Sequence, residues 1–80
     1  MELFNELKEI IANELAIDES TVTSGAHLQD DLGADSLGIL NIAEAIADKY
    51  KIAIIADDLV DIANVGELVE MVKAKIAATS

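Results

Sequence analysis

Asp30-Asp31-Leu32-Gly33-Ala34-Asp35-Ser36-Leu37, reading DDLGADSL, is where a turn-rich stretch gives way to a long run of helix formers. Asp and Ser are both strong helix N-cap residues. Ser36 therefore stands where a loop becomes a helix, with Asp35 directly before it. Two readings meet at this point: a cap, or a hydroxyl that the rest of the chain exists to present.

Downstream, residues 36–50 read as a helix. Ile39, Ile42, Ala43, Ile46 and Tyr50 lie at i, i+3, i+4, i+7 and i+11. At ~100° per residue they fall within one arc. The opposite arc holds Leu37, Asn41, Glu44 and Asp48. By itself that arc is an ordinary solvated face with one exposed Leu. Upstream, residues 17–35 form a long loop rich in Ser, Thr, Gly and Asp. Val22, Leu28 and Leu32 are its expected anchors, and a loop of this length that is anchored is expected to be functional.

Further out, Leu3, Phe4, Leu7, Ile11 and Leu15 make the apolar stripe of a first helix over 2–16, with Glu2, Glu6, Glu9 and Asn13 facing water. KIAIIA (51–56) is apolar and β-branched, but no second strand is available to pair with it. It reads as a buried connection with Ile52 and Ile54 turned inward. Residues 57–62 (DDLVDI) form a short third helix opened by Asp57 and Asp58. Asn64 followed by Glu67 resembles a capping box opening a fourth helix over about 65–77, with Val65, Leu68, Val69, Val72 and Ile76 as its stripe. Lys73 and Lys75 are expected in its last turns. The expected fold is all-α: a small four-helix bundle, three longer helices and a short third one, with a long loop between the first two, forming one domain over 1–80.

Composition narrows the function. Sixteen acidic residues face five lysines and no arginine, for a net charge of −11. Nucleic acid and an anionic membrane surface are excluded as partners, since both need a basic face. Proteins with basic docking patches are favoured. At 52% hydrophobic residues, the chain is not a disordered acidic tail. With neither Cys nor a signal or membrane-spanning segment, a cytoplasmic monomer is expected.

Enzymatic and metal chemistry find little support. Ala34-Asp35-Ser36-Leu37-Gly38 nearly matches the G-x-S-x-G nucleophile elbow, but that elbow needs a preceding strand and a base. His27, the single histidine, reads as an exposed loop residue. EF-hand spacing fails at Leu32, so Asp30, Asp31 and Asp35 offer only weak, nonspecific attraction to divalent cations. No zinc-binding constellation or phosphate-binding glycine loop exists.

DDLGADSL followed by an amphipathic helix resembles the attachment site of acyl carrier proteins. The resemblance runs over nearly the whole chain, through NVGELVEMV at the fourth helix. It implies that Ser36 takes a 4'-phosphopantetheine arm from coenzyme A through a separate phosphopantetheinyl transferase. The arm's thiol then carries acyl groups as thioesters, and the chain is not itself an enzyme. Phosphate at a helix N-terminus meets unpaired N–H groups, so capping and attachment are compatible at Ser36. The resemblance also implies docking of the second helix on acyl-transferring and acyl-modifying enzymes of fatty-acid, lipid or polyketide pathways. The residues matching that role are Asp35, Leu37, Leu40, Glu44 and Asp48, continued by Asp57, Asp58 and Asp61. Leu28, Ile39, Ile46, Ile54, Leu59, Ile62 and Leu68 are the expected lining for a sequestered acyl chain, and equally an ordinary core.

The chain departs from the family pattern just after the serine. Fatty-acid-synthesis carriers usually continue with an acidic residue and a dense acidic helix; here stand Gly38, Asn41, Ala45 and Ala47, with Ile55 where the family often has Pro. A mid-helix Gly is expected to cost about 1 kcal/mol relative to Ala. A diluted docking face implies a specialised carrier for a dedicated pathway. Two alternatives stay open: a peptidyl or aminoacyl carrier, from which Gly33-Ala34-Asp35 leans away, and an unmodified helical interaction module with Ser36 as a cap.

Overall fold

The stripe of the first helix is realised as α1 (Leu3–Leu15), which buries Leu7, Ile11 and Ala12 and half-buries Leu3, Phe4 and Leu15. It ends one residue before the expected 16, because Ala16 turns left-handed (φ 55, ψ 45) and returns its N–H to Ala12 O. A left-handed residue ends a helix by satisfying a terminal carbonyl. The structure, a computed structural model, describes residues 2–79. Met1 and Ser80 lie outside that range, so the expected 1–80 domain is described only within it.

α2 (Ser36–Tyr50) has the bounds its caps dictate: Asp35 begins it, and Lys51, left-handed at φ 56, closes it with its N–H on Ala47 O. Ile39, Ile42, Ala43 and Ile46 are buried, as the periodicity requires. The connection 51–56 carries no strand, and Ile52 and Ile54 are buried while Ile55 is exposed. α3 is the five-residue Ala56–Val60 rather than 57–62. Asp58 Oδ2 accepts from the Ile55 N–H at 3.1 Å, which fixes its start.

α4 (Val65–Thr79) runs two residues past the expected 77. The extension carries Lys73 and Lys75 out of its last turn, which holds no basic residue. Instead Lys73 pairs with Glu70, and Lys75 reaches Asp58 at 4.0 Å, linking α4 to the start of α3. The expected capping box is half formed. Asn64 Oδ1 accepts from the Glu67 N–H at 2.9 Å, but the Glu67 carboxylate accepts from Ala63 N–H, not from Asn64.

α1 packs on α2, on α4 and on a 3-10 turn at Glu19–Thr21; α2 packs on α3. The long loop is ordered by its own bonds. Asp18 caps the 3-10 turn through Ser20 N–H, and Val22, Ala26, Leu28, Leu32 and Ala34 are buried. α4 is stitched to this loop, since the Val65 N–H donates to Ala26 O at 2.9 Å and the Gly66 N–H to Ser24 O at 2.8 Å. Those N–H groups open the helix and would otherwise lack partners. The core is wholly apolar among the described residues, and each fully buried Leu or Ile contributes about 1.5–3 kcal/mol before entropy is counted.

Candidate functional site

Ser36 is the first residue of α2 and is exposed. Asp35, in extended conformation (φ −92, ψ −175), accepts from the Gly38 N–H at 2.7 Å through Oδ1, while its carbonyl accepts from the Ile39 N–H at 2.9 Å. The cap is thus Asp35 and not Ser36, which leaves the serine hydroxyl with no capping task. The N–H groups of Ser36 and Leu37 precede the helical ladder and point to the same end.

Gly38 is more than a weak helix position. It is buried, and a Cβ built on it would lie 2.9 Å from Leu15 Cδ2 and 3.2 Å from Asp35 Oδ1. The missing side chain lets the end of α1 close over the first turn of α2. Periodicity could not reveal this, because it depends on a contact between two different helices.

The serine is also braced from upstream. Residues 28–32 form a helical turn in which Asp31 and Leu32 N–H groups donate to His27 O at 2.9 and 3.1 Å. The Ala34 N–H donates to Leu28 O at 2.9 Å, and Gly33 supplies the positive φ of 71° between them. His27 corrects its sequence reading. It is half-buried, and its Nδ1 accepts from the Gln29 and Asp30 N–H groups at 3.2 and 3.1 Å. In turn the His27 N–H donates to Asp31 Oδ2 at 2.8 Å. The ring is bound into the loop rather than to Ser36.

The expected docking residues are mostly exposed, and some of them are already paired within the chain. Leu37 (63% exposed), Leu40 (43%), Glu44, Asp48, Asp57 and Asp61 are exposed. Asp35, Asp58 and Asp48 are already engaged: Asp35 by the Gly38 N–H, Asp58 by the Ile55 N–H and Lys75, and Asp48 by Lys51 at 3.8 Å. Two further exposed apolar residues, Ile55 (61%) and Val60 (49%), stand at the two ends of α3 and were not among the expected docking contacts. Their signal was weak because a five-residue helix is too short to show a period.

Of the expected acyl lining, Leu28, Ile39, Ile46, Ile54, Leu59 and Leu68 are buried and Ile62 is half-buried. They belong to one closed core, and no cavity opens among the described residues. No group of three or more His, Cys, Asp or Glu side chains is arranged for a metal ion there either. None of the described helices is long and apolar enough to cross a membrane.

Comparison with known proteins bears on this arrangement. The family model for the phosphopantetheine attachment site matches residues 5–72. The chain is 37% identical over 75 residues to an acyl carrier protein of Thermotoga maritima, covering 94% of this chain and 93% of that one. It is 36% identical over 77 residues to an acyl carrier protein of Guillardia theta, covering 96% and 95%. An acyl carrier protein of Clostridium perfringens is 37% identical over 70 residues, covering 88% and 92%.

Proposed function

The chain belongs to the phosphopantetheine-attachment family of acyl carrier proteins, and from that premise we propose that Ser36 is the residue to which the 4'-phosphopantetheine arm is joined. The observation that carries this assignment is the division of labour at the start of α2. Asp35 performs the capping, so the Ser36 hydroxyl is exposed and uncommitted.

The residues present suit a phosphodiester. Of the N–H groups opening α2, those of Gly38 and Ile39 are taken by Asp35. Those of Ser36 and Leu37 remain beside the positive end of a 15-residue helix, where an anionic oxygen is stabilised. Once bound, the arm supplies a thiol that holds acyl groups as thioesters. The chain's own residues present the serine: Asp35 fixes its backbone, Gly38 admits Leu15 against the helix, and the 28–34 turn sets the approach. We read the chain as one carrier domain that performs no chemistry on the acyl group.

Docking follows from the same surface. Leu37, Leu40, Ile55 and Val60 offer exposed apolar contacts, interspersed with Glu44, Asp48, Asp57 and Asp61. Partners of matching chemistry are enzymes with an apolar contact inside a basic rim: a phosphopantetheinyl transferase, and the acyl-transferring and acyl-modifying enzymes of fatty-acid, lipid or polyketide synthesis. A cytoplasmic setting suits a chain without cysteine, and the reading takes it as a monomer. Acyl chains would enter by parting α2 from the core at Ile39, Ile46, Leu59 and Leu68.

Incubation with coenzyme A and a broad-range transferase, followed by intact mass measurement, tests the assignment. The wild type should gain one phosphopantetheine mass and Ser36→Ala none. An unchanged wild-type mass would leave only the unmodified interaction module. A gain that survives in Ser36→Ala would move the site elsewhere.

A further inference from the structure

His27 holds a position in which a histidine acts as a backbone cap. Its Nδ1 lone pair faces two N–H donors, Gln29 at 3.2 Å and Asp30 at 3.1 Å. Two donors aimed at one nitrogen require that nitrogen to be unprotonated, so the ring proton resides on Nε2. The His27 N–H is reciprocally held by Asp31 Oδ2 at 2.8 Å. Side chain and main chain of one residue therefore close the turn at 28–32 from both sides.

We propose that neutral His27 is a positioning residue for Ser36, and that a proton on its Nδ1 releases the serine-presenting turn. The link runs through backbone contacts. Leu28, inside the turn, accepts from the Ala34 N–H at 2.9 Å; Ala34 is buried and adjoins Asp35, whose cap sets the first turn of α2. A protonated ring presents N–H to N–H, and both amides lose their acceptor at once. Histidine is the side chain that ordinarily makes this change between about pH 5 and pH 8.

The charges facing the ring are the carboxylates of its own loop. Asp30 Oδ2 stands 3.8 Å from Nδ1, and Asp31 is bound to the His27 N–H. From α4, bonded to the loop at Ser24 and Ala26, the charged residue of the first turn is Glu67, whose carboxylate is turned back to the Ala63 N–H. A protonated ring would be drawn to Asp30, away from the two amides it had capped.

The proposal rests on Ser36 as the attachment point, and two readouts separate its failure from that of the attachment reading. The first is the rate of arm transfer from coenzyme A to the full chain by one transferase, comparing wild type with His27→Asn. Asn keeps a capping oxygen but does not titrate. Expressed as the wild-type to variant ratio, the rate should fall about fivefold as pH drops through the histidine range, the factor corresponding to one N-cap. The second is the pH titration of the Gln29 and Asp30 amide resonances, which requires no modification. Both amides should shift together as the ring gains its proton and exchange faster once it has done so. A rate ratio independent of pH, or amides that move only in the carboxylate range below about pH 5, would overturn the proposal. If neither protein takes up the arm at any pH, the Ser36 assignment falls and the positioning role with it. The amide titration then still shows whether His27 caps the turn.

Discussion

The phenol of Tyr50 donates to Glu6 Oε1 at 2.7 Å, tying the last residue of α2 to the first turns of α1. Lys49 Nζ approaches the same carboxylate at 4.0 Å. Glu6 is therefore half-buried rather than facing water as its helical position suggests. Burial first, then the Glu6 hydrogen bond and its charge, hold the Tyr50 proton well above the ordinary phenol range. Because the folded state favours the protonated phenol, its contribution is complete below the unfolded value of about 10 and is lost as pH rises beyond it. Thermal melts across that range should show wild-type stability falling, and Tyr50→Phe should fall less steeply. At neutral pH the variant should cost about 0.5–1.5 kcal/mol, the worth of one hydrogen bond. Parallel alkaline profiles for the two proteins would count against the bond.

Asp35 has two tasks, capping α2 through the Gly38 N–H and contributing charge beside Ser36. Asn is as good a cap as Asp, so Asp35→Asn should stay within about 0.5 kcal/mol of wild type while Asp35→Ala loses about 1 kcal/mol. If partner enzymes read the charge, both variants should bind them more weakly and with a shallower dependence on salt. Denaturant melts and binding isotherms together check this. Full binding by Asp35→Asn would remove Asp35 from the docking face.

The bounds of α2 and the burial of Ile39, Ile42, Ala43 and Ile46 were legible because capping and helical periodicity are written in neighbouring residues. So was the serine at the loop–helix junction. Contacts that join distant residues left no such trace. Tyr50 with Glu6, Leu15 over Gly38 and Val65 on Ala26 each require the folded arrangement before they exist. His27 was misread for a related reason: a ring nitrogen that caps main-chain amides looks, in a sequence, like any polar loop residue. Ile55, noted only as a departure from the family pattern, and Val60 were not read as exposed apolar contacts, because α3 is only five residues long and shows no period.

The approach of Leu15 to Gly38 makes a quantitative claim about coupling. Gly38→Ala should gain up to about 1 kcal/mol of helix propensity, opposed by a methyl placed 2.9 Å from Leu15 Cδ2. In a Leu15→Ala background that contact is gone, and only Asp35 Oδ1 at 3.2 Å still opposes the methyl. The same Gly38→Ala change should then be more favourable, by about 1 kcal/mol of coupling. A double-mutant cycle by denaturant melts measures it, and equal effects in both backgrounds would refute the close approach.

The net charge of −11 is spread over a surface whose described ion pairs are exposed or only half-buried, so little of the repulsion is offset locally. Added magnesium should raise the melting temperature more than sodium chloride of equal ionic strength, by a few degrees. About 1 kcal/mol corresponds to roughly 4–8 °C in a domain this small. Since no preformed metal site exists among the described residues, the response should be graded over millimolar concentrations rather than saturating at one equivalent. Indifference to both salts would show that self-repulsion is minor.

The docking face proposed for α2 is where partner choice should be decided. Its outer arc carries Glu44 and Asp48 but has half-buried Asn41 and Ala45, with exposed Leu37 and Leu40 beside them. Exposed Ile55 and Val60 add apolar surface at α3. Relative to a densely acidic helix, less of the encounter comes from charge and more from apolar fit, which lowers steering and its salt dependence. Loaded with malonyl groups and offered to housekeeping fatty acid synthase enzymes, this carrier should turn over more slowly than a housekeeping carrier. Leu37→Ala should reduce its binding to its own partner by about tenfold or more, as expected for a central apolar contact, with little change in salt dependence. Turnover matching the housekeeping carrier would show that the diluted helix serves general synthesis after all. A Leu37→Ala protein with unchanged binding would place the contact elsewhere, with Ile55 as the next residue to substitute.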